Sequence, residues 1–289
     1  MLQVGELFAG IGGIGLGLEM TGGFTVKWQV EIDKYATKVL EKNWPEAKRW
    51  DDVTTFPPEA GDWDIDVLTA GFPCQDLSYA GKGAGLDGER SGLFYEVMRI
   101  TERLRPRYLL LENVRALLTR GIDRVLREVA EIGYNAEWHC IPASHVGAPQ
   151  KRERVFILAY PNSDNRRHRS SAEPQKRQAR LESRSSGKRQ SKREPSQNVA
   201  YPQSLGVQGL RRVREQISQA YVKTAVSMRG SSGARGTVWE TEPGLGRVVD
   251  GISAGVDRAK RIKALGNAVV PQVAELWGRY ILERERCNA

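Results

Sequence analysis

The sequence contains few of the residues that build disulfide frameworks and metal centres. Its 289 residues include three cysteines and three histidines. Cys74, Cys140 and Cys287 are far apart and odd in number, so they predict no disulfide framework and favour a reducing compartment, the cytoplasm. His139 and His145 have no metal-ligand spacing with these cysteines, and we therefore expect no metal site.

Long hydrophobic runs are also missing from the sequence. No stretch approaches the length that spans a membrane, and no basic segment followed by an apolar run is visible at the N-terminus. We therefore expect neither a membrane partner nor a signal peptide. The 40% hydrophobic fraction nevertheless supports a real core, in one large domain or two unequal ones.

The net charge of +9 is concentrated in one segment of the chain. Residues 166–194 contain eleven Lys and Arg against three Glu, with few apolar side chains. Such a composition cannot bury enough surface to fold alone, so we expect residues 162–198 to be disordered or to order on binding. A nucleic-acid partner explains the basic charge, and a solvated insertion without a role is the alternative.

A glycine-rich turn follows the first predicted strand, residues 3–8. Gly10, Gly12 and Gly15 fit the pattern G-x-G-x-x-G, and Glu31 ends the second strand about twenty residues later. This spacing predicts a cofactor that contains adenosine, although it does not separate NAD from S-adenosylmethionine, and a tight turn without a ligand is the alternative. Asp52 follows a short strand, where it either meets an adenine amino group or belongs to a surface turn.

Two reactive side chains follow buried strands. Cys74 comes after the apolar residues 66–70, and Glu112 comes after residues 108–111. Both therefore fall at the carboxyl edge of the predicted sheet, where a thiolate nucleophile and a carboxyl group form a plausible catalytic pair. The alternative for Cys74 is a small buried residue without a chemical role. Residues 76–92 are rich in glycine and suit a lid over a substrate.

The remaining patterns lie toward the C-terminal end. Residues 150–158 begin polar and end as an apolar strand, and alternation places Arg152 and Arg154 on one face. Residues 261–271 lead into a helix with Pro271 near its start and an apolar stripe. The apolar stripe of this helix must pack against a hydrophobic core. The N-terminal sheet offers the large core that is available, so we expect the helix to pack there.

In chain order, these pieces resemble the motifs of the DNA (cytosine-5)-methyltransferase family. The matching pieces are residues 8–13, Glu31, Asp52, residues 71–75, residues 112–114, residues 150–154 and residues 266–269. Glu6 stands where an Asp is commoner in the family. The resemblance implies an α/β, Rossmann-like, mostly parallel sheet that depends on S-adenosylmethionine. Residues 1–158 and 258–289 would form the catalytic and cofactor domain, and residues 159–257 a small, irregular target recognition domain.

The resemblance also assigns roles to residues. Cys74 would attack C6 of cytosine, Glu112 would hydrogen-bond N3 and the exocyclic amine, Arg152 would hold the base carbonyl, and Arg154 would support the site. The implied contacts with S-adenosylmethionine are Phe8, Gly10, Ile11, Gly12, Gly13, Glu31, Ile32, Asp52, Val53, Pro73, Leu93, Asn267 and Ala268. The implied contacts with DNA are Gln75, Lys82 and Arg90.

The function predicted in this way is methylation of C5 of a flipped-out cytosine in a specific duplex DNA sequence, through a covalent adduct with Cys74. We expect a prokaryotic or phage-encoded monomer, with a role in restriction–modification or phage self-protection as a hypothesis. One alternative is a methyltransferase of tRNA cytosine, and another is a non-catalytic DNA-binding relative. A nicotinamide enzyme would explain the glycines but not the later motifs.

Overall fold

We analysed a computed structural model of the chain. The structure describes residues 1–59, 61–73, 92–162 and 258–288. The predicted nucleophile Cys74 and the predicted DNA contacts Gln75, Lys82 and Arg90 lie outside the described residues. So do the basic segment and nearly all of the predicted target recognition domain.

A mixed sheet forms the centre of the described residues. Its seven strands lie in the order β3-β2-β1-β4-β5-β7-β6. Strands β1 to β5 are parallel, and β7 pairs antiparallel with both β5 and β6. The strands are β1 (Leu2–Leu7), β2 (Phe24–Val30), β3 (Lys48–Trp50), β4 (Val67–Ala70), β5 (Tyr108–Val114), β6 (Tyr134–Pro142) and β7 (Glu153–Pro161). The mostly parallel α/β sheet predicted from the sequence is therefore confirmed.

The strand order reverses next to β1. From β1 the chain moves outward to β2 and β3, and then returns to place β4 on the other side of β1. A crevice opens at the carboxyl ends of the strands where such a reversal occurs, and it is the usual ligand site of open α/β sheets. Here the crevice lies between the glycine turn after β1 and residues 71–73 after β4.

The described helices are α1 (Gly13–Glu19), α2 (Lys34–Asn43), α3 (Gly92–Leu104), α4 (Leu117–Arg120), α5 (Ile122–Glu131), α6 (Arg258–Asn267) and α7 (Pro271–Asn288). Asp33 caps α2, and its side chain accepts hydrogen bonds from the backbone N–H groups of Tyr35 and Ala36. None of the described helices is long and apolar enough to cross a membrane.

The core is centred on the two strands before the predicted reactive residues. All four residues of β4 are buried, and Leu109, Leu110 and Leu111 of β5 are completely buried. Continuous apolar runs of this kind occur where parallel strands are covered on both faces. The run in β5 ends at Glu112, and this carboxyl group therefore lies at the margin of the core.

The last helix returns to the N-terminal sheet, as the sequence predicted. Trp277 and Ile281 of α7 are buried, and the Trp277 ring lies 6.0 Å from the ring of Phe156 on β7. Helices α1 and α7 approach so closely that a Cβ atom on Gly17 would lie 2.1 Å from the carbonyl oxygen of Pro271. Helices α6 and α7 belong to the same compact unit as Met1–Pro161.

We expect Gly17→Ala to destabilise this unit by about 1–3 kcal/mol, because the added methyl group overlaps backbone atoms that cannot move independently. Urea unfolding followed by tryptophan fluorescence measures the change. The matched control is Gly92→Ala at the start of α3, where no described atom lies within 4 Å of the added Cβ. An unchanged unfolding midpoint for Gly17→Ala would contradict the close packing of α1 on α7.

Candidate active site

A cavity of about 830 Å³ lies at the reversal of strand order. The glycine turn, the ends of β2 and β5, the start of α3 and one side of α6 form its walls. All the predicted cofactor residues except Gly12 line it: Phe8, Gly10, Ile11, Gly13, Glu31, Ile32, Asp52, Val53, Pro73, Leu93, Asn267 and Ala268. The structure therefore brings together residues that are up to 260 positions apart in the sequence.

The two central glycines of the turn differ in their surroundings. Gly10 has a φ of 57°, and no described atom lies within 4 Å of the place that a Cβ would occupy, so its backbone faces the open cavity. Gly12 has a φ of 81°, and a Cβ there would lie 2.4 Å from the Trp44 ring. Both positions favour glycine. Gly10 allows a ligand to approach the backbone, whereas Gly12 lies behind the turn.

Glu31 connects the glycine turn to the start of α2. One carboxylate oxygen accepts a hydrogen bond of 2.7 Å from the Gly10 N–H, and the other accepts one of 2.8 Å from the Asp33 N–H. Each carboxylate oxygen has two lone pairs, so acceptor capacity remains for a ligand hydroxyl. Glu31 therefore fixes the shape of the turn and also presents a carboxylate to the cavity.

Glu6 holds the other side of the same turn, a role that sequence analysis missed. Its side chain is completely enclosed and accepts hydrogen bonds of 2.7 Å from the Gly15 N–H and from the Gln29 side-chain amide. Burial raises the pKa of Glu6 to about 7. An acidic residue followed and preceded by buried positions of the first strand was the available signal, because a buried carboxyl group requires partners.

Asp52 belongs to a surface turn, and its predicted contact with an adenine amino group stays a prediction. It caps the short turn Val53–Thr55, and its side chain accepts hydrogen bonds from the Thr54 hydroxyl at 2.7 Å and the Thr54 N–H at 2.9 Å. These hydrogen bonds hold the pKa of Asp52 below its usual value. Asp52 also lines the cavity, so an ionised carboxylate in a surface turn faces the ligand site.

Glu112 and Arg154 form an ion pair at the edge of the cavity. The Arg154 Nε atom lies 2.9 Å from a carboxylate oxygen of Glu112, which is 8% exposed. Burial raises the pKa of Glu112 to about 7, while Arg154 and then Arg152 oppose that rise. A carboxyl group of this kind is present in both protonation states near neutral pH, so it either donates or accepts a hydrogen bond.

The segment that leads to Cys74 approaches this pair. The Asn113 side-chain amide donates a hydrogen bond of 3.1 Å to the carbonyl oxygen of Phe72. A Cβ on Gly71 would lie 3.3 Å from a carboxylate oxygen of Glu112. Pro73, the residue before Cys74, lines the cavity together with Glu112. The predicted pairing of Cys74 with Glu112 stays a prediction, because residue 74 lies outside the described residues.

Arg152 occupies a different place from Arg154. It precedes β7 and has a φ of 31°, so simple strand alternation does not apply to it. Its guanidinium donates two hydrogen bonds of 2.6 Å, to the carbonyl oxygens of Gly266 and Ala268. The predicted contact between Arg152 and a base carbonyl is untested, and in this structure Arg154 is the arginine at Glu112.

Among the described residues, no group of three or more His, Cys, Asp or Glu side chains is placed to hold a metal ion. The described lining of the cavity instead combines glycine backbone, apolar side chains, carboxylates and Arg154. These groups can bind an organic ligand. Glu112 lies beside the space for that ligand and can donate a proton to it or accept one from it.

Comparisons with known proteins agree with this arrangement. The model of the family described as C-5 cytosine-specific DNA methylase matches residues 2–238. The Type II methyltransferase M.CviJI of Paramecium bursaria Chlorella virus IL3A is 43% identical over 155 residues, which are 53% of this chain and 42% of that relative. The Type II methyltransferase M.NgoBI of Neisseria gonorrhoeae is 41% identical over 169 residues, 57% of this chain and 52% of that relative.

The matched stretches span about half the length of these curated relatives. Among solved structures, the S. pombe Dnmt2 methyltransferase has 21% sequence identity and a TM-score of 0.49, with 61% of this chain and 58% of that chain covered. The family model matches well over half of the chain, and it includes the glycine turn, Glu112 and Arg154. The chain belongs to the C-5 cytosine-specific DNA methylase family.

Proposed function

We propose that the chain transfers a methyl group from S-adenosylmethionine to C5 of a cytosine in duplex DNA. One observation carries this proposal: the cavity that begins at the glycine turn ends at the Glu112–Arg154 pair. A cofactor and a base would therefore meet in one continuous space. Family membership favours cytosine in DNA as the base.

The residues of the cavity fit the cofactor. Phe8, Ile32 and Val53 provide apolar surface for an adenine ring, and Glu31 and Asp52 provide acceptors for ribose hydroxyls and an amino group. The open space at Gly10 lets a ligand approach the backbone closely. When bound, S-adenosylmethionine supplies an electrophilic methyl group.

The proposed chemistry overcomes the low reactivity of cytosine C5. The Cys74 thiolate forms a bond with C6, and Glu112 stabilises the charge that develops by donating a hydrogen bond to N3. The π electrons of the C5–C6 bond would shift to the C4–C5 bond as N3 takes the proton of Glu112, which makes C5 resemble an enamine. C5 would then take the methyl group, whose bond to the sulfonium sulfur breaks and leaves a neutral thioether. C5 would finally lose its proton to water, and the electron pair that this frees would restore the C5–C6 double bond and expel the Cys74 thiolate.

Arg154 and Arg152 would support this chemistry in different ways. The ion pair with Arg154 keeps the Glu112 carboxyl in one orientation at the margin of the core. Both guanidinium groups oppose the rise in the pKa of Glu112. The carboxyl group is therefore able to change protonation state near neutral pH, which suits a group that donates to N3 and later accepts the proton back.

The target carbon is not accessible within a stacked duplex, so the base must leave the helix. We infer that residues 159–257 select the DNA sequence and that Gln75, Lys82 and Arg90 contact the DNA, as the resemblance implies.

A restriction–modification or phage self-protection role is part of this proposal. It would be supported by a companion endonuclease that does not cut DNA from cells expressing the chain.

Bisulfite sequencing tests the function directly. DNA from methylation-free cells that express the chain is compared with DNA from cells carrying an empty vector. We expect methylcytosine in one recurring sequence context in the first sample and none in the second. Folded protein without DNA methylation would contradict the proposal, and methylcytosine in tRNA from the same cells would favour the RNA alternative.

A further inference from the structure

Helix α6 covers one side of the cavity but buries little apolar surface. Lys260, Lys263 and Ala264 line the cavity, as does Asn267 at the end of the helix. The large apolar residues Ile262 and Leu265 are 57% and 56% exposed. A short helix usually depends on the burial of an apolar face. The position of α6 therefore depends to an unusual degree on polar contacts.

Polar contacts of Arg152 and Lys263 connect α6 with other parts of the chain that the structure describes. Arg152 donates hydrogen bonds to the carbonyl oxygens of Gly266 and Ala268, where the last turn of the helix leaves carbonyl groups without helical partners. Lys263 forms an ion pair of 3.5 Å with Asp33, but this lysine is 70% exposed. Exposed ion pairs contribute little. The bond from Arg152 to Gly266 is also exposed and the bond to Ala268 is partly buried, but both join a charged guanidinium to a backbone carbonyl oxygen, so they are charge-assisted hydrogen bonds.

The segment held by Arg152 also contacts the glycine turn. A Cβ on Gly13 would lie 2.6 Å from the carbonyl oxygen of Val269, so the two backbones are in close contact. Ala268, whose carbonyl oxygen accepts a hydrogen bond from Arg152, directly precedes Val269 in the chain. Movement of α6 away from Arg152 would therefore also move the cavity wall formed by Asn267 and Ala268.

We propose that Arg152 is a positioning residue of the cofactor site, because it fastens α6 over the cavity by its two hydrogen bonds to the backbone. This inference rests on the proposed use of S-adenosylmethionine. If Arg152 positions the cofactor site, its substitution changes the affinity for the cofactor even without DNA. If Arg152 contacts only the target base, its substitution leaves that affinity unchanged. Arg154, which contacts Glu112, would have its effect on the base.

The test is calorimetric titration of the purified full chain with S-adenosylmethionine, in the absence of DNA. We expect Arg152→Ala to raise the Kd about tenfold or more, because two charge-assisted hydrogen bonds are lost. Arg152→Lys keeps the charge, but its side chain is shorter and lacks the planar guanidinium whose Nη2 makes both bonds, so its Kd should lie between those of the wild type and Arg152→Ala.

Hydrogen exchange of residues 258–270 provides a second readout, since the Ala268 N–H donates to the carbonyl oxygen of Ala264 at the end of α6. Arg152→Ala should accelerate exchange in this segment and leave β4 and β5 unchanged. The matched control is Arg279→Ala on α7, which removes an exposed ion pair with Glu275 and should change neither the Kd nor this exchange.

The outcomes separate the two proposals. If the wild type does not bind S-adenosylmethionine, the proposed function fails together with the inference. If the wild type binds and both Arg152 variants bind equally well, the inference is overturned while the proposed function stands. If Arg152→Ala does not fold, Arg152→Lys decides: a Kd higher than that of the wild type, with faster exchange of α6, supports the inference, and an unchanged Kd overturns it.

Discussion

Cys74→Ala is expected to lower the rate of methyl transfer to DNA at least about 10³-fold, because no other group replaces a lost covalent nucleophile. Affinity for S-adenosylmethionine should not change, since the proposed role of Cys74 is toward the base. The rate is measured by transfer of a labelled methyl group to duplex DNA that contains the sequence identified by bisulfite analysis.

The two other cysteines provide matched controls for this substitution. Cys140 lies half-buried on β6, and Cys287 is exposed on α7. Cys140→Ala and Cys287→Ala should retain methylation. DNA with 5-fluorocytosine at the target adds a direct observation of the adduct, because a C5 fluorine cannot leave as a proton does. A covalent complex that survives denaturation should form with the wild type and with both controls. Methylation by Cys74→Ala would refute the covalent mechanism.

The second large effect concerns Glu112→Gln, which we expect to lower the single-turnover rate by about 10²–10³-fold. Glutamine has the same shape and can still bond the base, but it cannot change protonation state. The folded protein should tolerate the substitution, since the carboxyl group that it replaces is buried and already has a raised pKa. Affinity for S-adenosylmethionine therefore serves as the internal control.

The pH dependence of the same variant tests the proposed role of the proton. The pKa of Glu112 is about 7 in the folded protein, so the form that donates a hydrogen bond is lost as the pH rises through 7. The wild-type rate should therefore fall above about pH 7. Ionisation of the Cys74 thiol alone would instead make the rate rise with pH. Glu112→Gln should lack this fall. A wild-type rate that rises steadily to pH 9 would contradict a proton donor at Glu112.

The elements of the N-terminal half could be predicted because their signals are local. Asp33 is a strong N-terminal cap, and α2 begins directly after it at Lys34. The strand β2 ends at Val30, directly before Glu31, and the helix Gly92–Leu104 begins at a glycine and ends shortly before Pro106. In each case a capping residue, glycine or proline lies close to the boundary.

The positions of the two carboxylates, though not their roles, follow from the apolar strands before them. Glu31 and Glu112 line the cavity because each stands where a buried apolar run reaches the carboxyl edge of the sheet. The partners of Arg152 could not be predicted in this way, since Gly266 and Ala268 are more than a hundred residues away in sequence. A contact of that kind depends on how α6 returns to the sheet, and local patterns do not encode it.

Helix α6 shows a second limit of sequence patterns. We expected residues 261–271 to lead into a helix, but Arg258–Asn267 itself is helical and ends before Pro271 begins α7. Its exposed Ile262 and Leu265 do not form the buried stripe by which an amphipathic helix is recognised. The contacts given by the described residues involve its backbone and a charged group instead: Arg152 bonds two carbonyl oxygens at its end, and Lys263 pairs with Asp33.

The contact between the glycine turn and the residues before α7 has a consequence for synthesis on the ribosome. The turn at Gly13 is translated more than 250 residues before the backbone that packs against it, at Val269. The wall that Asn267, Ala268 and Val269 contribute is therefore the last part of the described cavity lining to be made. A nascent chain that carries only the glycine turn has an incomplete cavity, so we expect cofactor binding only after these residues have left the ribosome.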